Sequence, residues 1–424
     1  MKEALLHFVW NHRLFSVQDL RAVRGEKIAI QNFGTHNTHE SGPDFSNAMV
    51  VVDDQLWAGM VEMHLKSSDW YLHQHDRDPN YNNVILHVVF EYNQDIVVEG
   101  QMLPQLELKP RIHPSILNNY LYLLNNTGQI PCQNQIQTID DFTKKNWLSR
   151  LSIERLERKS ATIDVHLTQN MSHWEQVFYQ ILTKYLGAKT NEIPFEMLAA
   201  ALPLTVVGKH KDSLMQIEAL LFGQAGLLNN DFEDEYPKTL QKEYLFLRHK
   251  FNLEPINQNY WKFKGLRPVS FPTLRIAQLA QILFLQSGLF AKIVDAKTIQ
   301  DLQNLFKVGT SSYWNTHYVF DKASQSSPKN LGESTINSLI INVVLPFYYL
   351  YATKRDANEL IDKALDFYDQ LPAEHNTTTQ LFAALKWKAS NASHSQAQLE
   401  LKHHYCDQKR CLNCAIGAKL LQKT

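Results

Sequence analysis

The sequence predicts an α+β protein: a mixed α/β domain over residues 1–135, then a mostly α-helical domain over 136–424. Three observations carry that division. Between Lys27 and Leu108, apolar residues fall in short alternating runs broken by turn-forming residues, the pattern of strands. From Asp140 onward they recur at three- and four-residue spacing, the pattern of helices. A length of 424 residues exceeds the size at which single cores usually stop growing.

The first element is a helix around Lys2 to Trp10 or Val17 to Ala22. Strands are expected at Ile28 to Ile30, Ala48 to Val52, Leu56 to Leu65, Val84 to Phe90 and Leu103 to Leu108. Asp53-Asp54 and Asp78-Pro79-Asn80 supply turns between several of them. After Asn125-Asn126-Thr127-Gly128 and Pro131 the character changes. Trp147, Leu151, Ile153 and Leu156, then Trp174, Val177, Phe178, Ile181, Leu182 and Tyr185, mark two amphipathic helices. Breakers follow at irregular intervals, with no period of the kind a solenoid shows.

Composition narrows the function classes. With 42 basic against 43 acidic side chains, the formal charge of −1 gives no global pull toward nucleic acid, so DNA or RNA as a partner would need a local patch. Met1 to Phe15 lacks the uninterrupted apolar core of a secretory signal, and a cytoplasmic protein is expected. Ser338 to Ala352 falls short of the ~20 residues a membrane span needs, so a buried helix and no membrane partner are expected.

The densest chemistry lies between Gly42 and Val89, where Asp44, Glu62, His64, Lys66, Asp69, His73, His75 and His87 stand among strand-like segments. Charge and imidazole are costly to bury unless paired, hydrogen-bonded or metal-bound. In an extended strand, Glu62, His64 and Lys66 share one face. A hairpin turning at Asp53-Asp54 would set residues near 44 opposite residues near 62, bringing Asp44 and Glu62 to the same end. The plainer alternatives are an N-capped turn at Ser67-Ser68-Asp69-Trp70, a hydrogen-bonded core histidine at His87, and solvated loop carboxylates at Asp76 and Asp78.

This arrangement resembles the PD-(D/E)xK nuclease superfamily, in which a Pro-Asp and an acidic residue on the following strand hold the metal beside a lysine. Pro43-Asp44 and Glu62-Met63-His64 occupy those places. His64 stands where the lysine is usual, and Lys66 lies one alternation further along the same face. The resemblance implies a nuclease-like N-terminal domain in which Asp44 and Glu62 hold Mg²⁺ or Mn²⁺ while His64 or Lys66 orients or deprotonates water. Alternatively, His64, His73, His75 and His87 supply nitrogen ligands to Zn²⁺, Mn²⁺ or Fe²⁺.

A second cluster closes the chain. Cys406, Cys411 and Cys414 follow an expected helix, Ser395 to Tyr405, and three thiols so close in sequence point to a soft metal. Cys132, the only other cysteine, would complete a four-thiolate site for Zn²⁺ or an iron–sulfur cluster, with His403 or His404 as the alternative fourth ligand. Some nucleases of the superfamily named above divide their cysteines one before and three after the nuclease motifs and hold a [4Fe-4S] cluster. Here Cys132 follows the acidic motif. Such a metal would staple the C-terminus to the domain junction.

The basic run from Lys144 to Lys159 reads as a solvated amphipathic face, with phosphate contact as the alternative. Taken together, Gly42-Pro43-Asp44-Phe45, Val61-Glu62-Met63-His64, Ser67-Ser68-Asp69-Trp70, Leu86-His87-Val88-Val89, Ile217-Glu218-Ala219-Leu220, Arg267-Pro268 and Tyr405-Cys406 through Gly417 resemble the bacterial family called domain of unknown function 2851. That resemblance implies no activity. Three functions are expected in order: a metal-dependent phosphodiesterase or nuclease-like enzyme, a non-nuclease hydrolase with a histidine-ligated metal, and a catalytically silent nucleic-acid or protein-binding scaffold. Convergence of Asp44 with Glu62 distinguishes the first, and convergence of the histidines the second.

Overall fold

The structure, a computed structural model, describes residues 2–38 and 41–423. The chain forms two compact units, one of residues 1–147 with 401–424 and one of 148–400. It leaves the first unit after Trp147 and returns at Leu401, so it crosses twice where a single crossing near residue 135 was expected.

The first unit is built on a mixed sheet. Helix α1 (Glu3–Asn11) precedes β1 (Ile28–Asn32), β2 (Thr35–His36), β3 (Phe45–Val52) and β4 (Gln55–Lys66). The short α2 (Asp69–Leu72), β5 (Val84–Glu91), β6 (Val97–Val98), β7 (Gln101–Met102), β8 (Gln105–Glu107) and α3 (Pro114–Asn125) follow. The sheet runs β1-β3-β4-β5-β8, with β2 also on β3, while β6 and β7 pair separately. Strands β1, β3 and β4 are antiparallel neighbours, whereas β4, β5 and β8 run parallel. Of the two candidate first helices only α1 forms. Val17 to Ala22 forms a turn at Gln18-Asp19 and then a bridge, Arg21 pairing with Lys27 and the Leu20 carbonyl accepting from Ile28 N–H.

The expected hairpin turns at Asp53-Asp54 and sets Phe45 opposite Val61, so Asp44 and Glu62 reach the same end. The burial of β4 changes along its length. Its first residues are exposed, with Trp57 among them, while Val61 through His64 are buried on both faces because α1 packs across this half. Polar side chains there must be satisfied within the protein. Gly59 lets β5 approach: a Cβ at that position would lie 2.5 Å from Ile85 Cγ2 and 2.6 Å from the Asn83 carbonyl oxygen.

The second unit is helical. It contains most of α4 (Asp141–Gln169), then α5 (Trp174–Leu186), α6 (Ala188–Ala201), α7 (Leu204–Gly208), α8 (Leu214–Gln224), α9 (Glu235–Phe251), α10 (Pro272–Leu285) and further helices to Glu400. They enclose a large apolar core that includes Phe178, Phe195, Phe222, Trp314 and Phe347. The apolar run expected as a short buried helix is longer than its sequence pattern indicated. Glu333–Lys354 is continuous over 22 residues through a π-helical turn, long and apolar enough to cross a membrane, and 78% of its most apolar stretch is buried within the protein. The basic residues of α4 turn partly inward: Arg155 and Arg158 both grip the buried Glu400.

Candidate metal centre

Residues from three parts of the first unit converge. Glu62 and His64 come from the buried half of β4, His87 from β5, and His73 and His75 from the turn after α2. Gln74, between the last two, adopts a left-handed backbone with φ 62°. A side-chain-bearing residue takes that conformation at a cost, and here the turn brings both flanking imidazoles to one place. Among the described residues, His64, His73 and His75 form the one set of three metal-ligand groups whose donor atoms all lie within 4.8 Å of one another.

The separations are short and regular. His64 Nε2 lies 3.0 Å from His73 Nδ1. Glu62 Oε1 lies 3.4 Å from His75 Nε2 and 3.6 Å from His64 Nε2. His64 is fully enclosed, His75 half-buried and His73 exposed, so the cluster opens to solvent on the His73 side. His75 stacks on Tyr81 at 3.7 Å between ring centres and meets the buried Trp70 edge-on, which fixes its plane.

One buried hydrogen bond joins two of the rings, His64 Nδ1 and His87 Nε2 lying 2.9 Å apart. Gln105 Nε2 donates to the Gln94 carbonyl, which leaves its amide oxygen on the side of His87, although His87 Nδ1 and Gln105 Oε1 are both buried outside hydrogen-bond geometry. With His64 Nδ1 as the donor to His87, His64 Nε2 keeps a lone pair facing His73 and Glu62. Burial, then the neighbouring histidines, push His64 down to about 2, and burial pushes His87 down to about 3. Both rings are neutral near neutrality, the state in which imidazole binds metals.

Asp44 braces this arrangement instead of pointing its carboxylate into it. Its N–H donates to Glu62 Oε2 at 3.0 Å, and its Oδ2 accepts from Met63 N–H at 3.0 Å and faces His7 Nε2 at 3.1 Å. Glu62 thus has one oxygen held and the other turned to the histidines. Burial raises the Glu62 pKa against a hydrogen bond from His75. Burial alone would lower His7, but the Asp44 carboxylate outweighs it and leaves the imidazole raised. Glu3, one helical turn before His7, is raised by burial and feels both His73 and Asp44.

Of the expected site residues, Glu62, His64, His73 and His75 stand together, with His87 directly behind His64 and Asp44 behind Glu62. Lys66 lies exposed at the end of β4, with Glu91 as its strand partner. Asp69 Oδ2 accepts from Lys66 N–H at 2.9 Å, which closes the turn into α2. Glu3, His7, Gln105 and Tyr81 were not singled out by the sequence. A four-residue spacing of Glu3 and His7 on an apolar N-terminal helix was the available signal for two of them.

The four cysteines also gather within the first unit. Each of Cys132, Cys406, Cys411 and Cys414 is an unpaired thiol, and Cys132, Cys411 and Cys414 are buried. Electrostatic interactions link all of them pairwise. Burial and mutual repulsion push the Cys132 thiol up to about 12 and Cys411 to about 11 and also raise Cys406, while burial raises Cys414. Expected as an ordinary helix, Ser395 to Tyr405 is α-helical over Ala392–Glu400 and π-helical over Leu401–Cys406. The final helix, Ala415–Leu421, packs on α3, where Asn119 donates to the Leu420 and Lys423 carbonyls at 3.2 Å. Lys423 also donates to Thr138 Oγ1 at 2.7 Å.

The model of the family described as "Protein of unknown function (DUF2851)" matches residues 3–377, nearly nine-tenths of the chain, and the chain belongs to that family. No curated protein and no solved structure matches it.

Proposed function

We propose that this member of the DUF2851 family is a metal-dependent hydrolase whose ion is held by His64, His73, His75 and Glu62. The observation that carries this reading is the spacing of the donor atoms. Ligands about 2.0–2.2 Å from one ion, at tetrahedral or octahedral angles, stand roughly 3.0–3.6 Å apart, and the separations here are 3.0, 3.4 and 3.6 Å. Three imidazoles with one carboxylate favour Mn²⁺, Fe²⁺ or Zn²⁺ over Mg²⁺, which prefers oxygen. The solvent-facing His73 side leaves room for water and substrate. Such an ion lowers the pKa of bound water and polarises the bond under attack. His7, kept protonated by the neighbouring Asp44 carboxylate, would donate to a leaving group.

A phosphodiester of DNA or RNA is the substrate class to try first, because Pro43-Asp44, just before β3, and Glu62 on β4 reach the same end of the hairpin, as the nuclease resemblance implies. Reconstitution with Mn²⁺, Fe²⁺ or Zn²⁺ should give cleavage of bis-p-nitrophenyl phosphate or of nucleic acid, lost in Glu62→Gln and His75→Ala. A loaded protein that cleaves no ester or amide tried, with both variants folded, would return the cluster to a binding scaffold.

A separate observation supports a structural metal at the cysteines, as a staple for the C-terminal segment. A cation relieves both the burial and the repulsion that hold these thiols protonated. Among the described residues, no three of the four sulfurs fall within the 4.8 Å that groups the histidines. A single zinc brings its thiolates closer than that, at about 2.3 Å from each, whereas a four-iron cluster spreads them, so an iron–sulfur cluster fits better. Iron and inorganic sulfide in anaerobically purified protein, lost in Cys411→Ser, would support this; stoichiometric zinc would replace it.

A further inference from the structure

We propose that a cavity in the second unit binds a small carbonyl compound carrying an anionic group, and that the Lys159 amine forms an imine with it. The cavity measures about 670 Å³ and lies among α4, α5, the start of α6, α10 and the long helix Glu333–Lys354. Its walls are mainly apolar, with Ile163, Ile181, Leu186 and Val343 among them. A cavity of this size with few polar groups is the usual form of a small-molecule site.

Lys159 is the polar group least explained by packing. Its Nζ donates to Asn342 Oδ1 at 2.6 Å. Asn342 is locked in turn, since its Nδ2 donates to the Ser338 carbonyl at 2.8 Å and to Glu374 Oε1 at 3.1 Å. The nearby carboxylates are committed elsewhere: Glu374 accepts from Ser338 and Gln396, and Glu400 from Arg155 and Arg158. Among the described residues, Lys159 has no ion pair. Burial and the cations Arg155 and Arg158, against the carboxylates Glu374 and Glu400, lower the amine to about 7. A desolvated lysine beside other cations is an amine nucleophile at neutral pH.

A second group lines the same cavity. Arg275 is largely enclosed; among the described residues it has no carboxylate partner, and its Nη1 donates to Gln278 Oε1 at 2.9 Å. Lys184, by contrast, is already paired with Glu192 and Glu196. An enclosed guanidinium without a counter-ion calls for an anion on the ligand. The Lys159 lone pair attacks the carbonyl carbon, and both amine hydrogens leave with the carbonyl oxygen as water, giving the imine. Asn342 Oδ1 holds one of those hydrogens and orients the amine.

Phenylpyruvate supplies both groups on an apolar body. Incubation of the full chain with phenylpyruvate and sodium cyanoborohydride at pH 7, followed by peptide mass spectrometry, should place one reduced adduct on Lys159 ahead of Lys184 and Lys189. Arg275→Gln should lower that adduct about tenfold, the loss of one charge-assisted contact, and Lys159→Met should abolish it. Wild-type protein with no adduct at Lys159, or with adducts spread evenly over exposed lysines, would overturn the proposal, and neither result depends on a variant folding.

Discussion

Gln105 sits in the protein interior on the last strand of the sheet, with its amide oxygen on the side of His87, the ring hydrogen-bonded to His64. Replacing it with Leu removes that oxygen and loosens the orientation of both rings. Metal affinity should then fall by about 10–100-fold, read by competition with a chromogenic chelator, while the fold is retained. Glu62 and His64 were legible in the sequence, since strand alternation alone puts them on one face. Gln105 and His7 were not, because each matters through a partner far away in the chain.

Glu218, buried in α8, offers a residue-scale test in the second unit. Burial raises its pKa to about 7 against hydrogen bonds from Ser311 and Tyr236. Because the folded pKa lies above the unfolded one near 4.5, the folded chain binds more protons across that interval. Stability is therefore lost as pH rises from about 4.5 to about 7, and the penalty stays constant above. Its size is on the order of 3 kcal/mol at most. Glu218→Gln should be the more stable protein at pH 8, with the difference shrinking toward pH 5 in urea unfolding.

At the scale of elements, the close approach of β4 and β5 holds the histidine cluster together. A methyl group at Gly59 meets both Ile85 and the Asn83 backbone, so Gly59→Ala should cost about 1–3 kcal/mol, seen as a lower urea midpoint. The five principal strands were visible because alternation and turn residues agreed. The π-helical turns at Ile340–Val344 and Leu401–Cys406 were not, since one inserted residue leaves the apolar spacing nearly unchanged. Likewise, the basic face of α4 looked solvated because the sequence does not reveal that Glu400 turns to meet Arg155 and Arg158.

At the scale of the molecule, the return of the last residues to the first unit joins the chain's two ends in sequence into one structural unit. The one-plus-three cysteine spacing foreshadowed this, but composition did not, because the returning segment is helical like the unit it leaves. If the thiols hold a metal staple, Cys411→Ser should make the segment after Leu401 sensitive to limited proteolysis while the helical core of residues 148–400 stays resistant.

Metal stoichiometry decides whether the histidine cluster holds an ion. Untagged protein should be loaded with Mn²⁺, Fe²⁺ or Zn²⁺, dialysed and measured beside His73→Ala, His75→Ala and Cys411→Ser. Beyond any metal at the cysteines, about one transition-metal ion per chain is expected, which both histidine variants lose and Cys411→Ser keeps. Equal metal content in wild type and the histidine variants, or none in any of them, would contradict it.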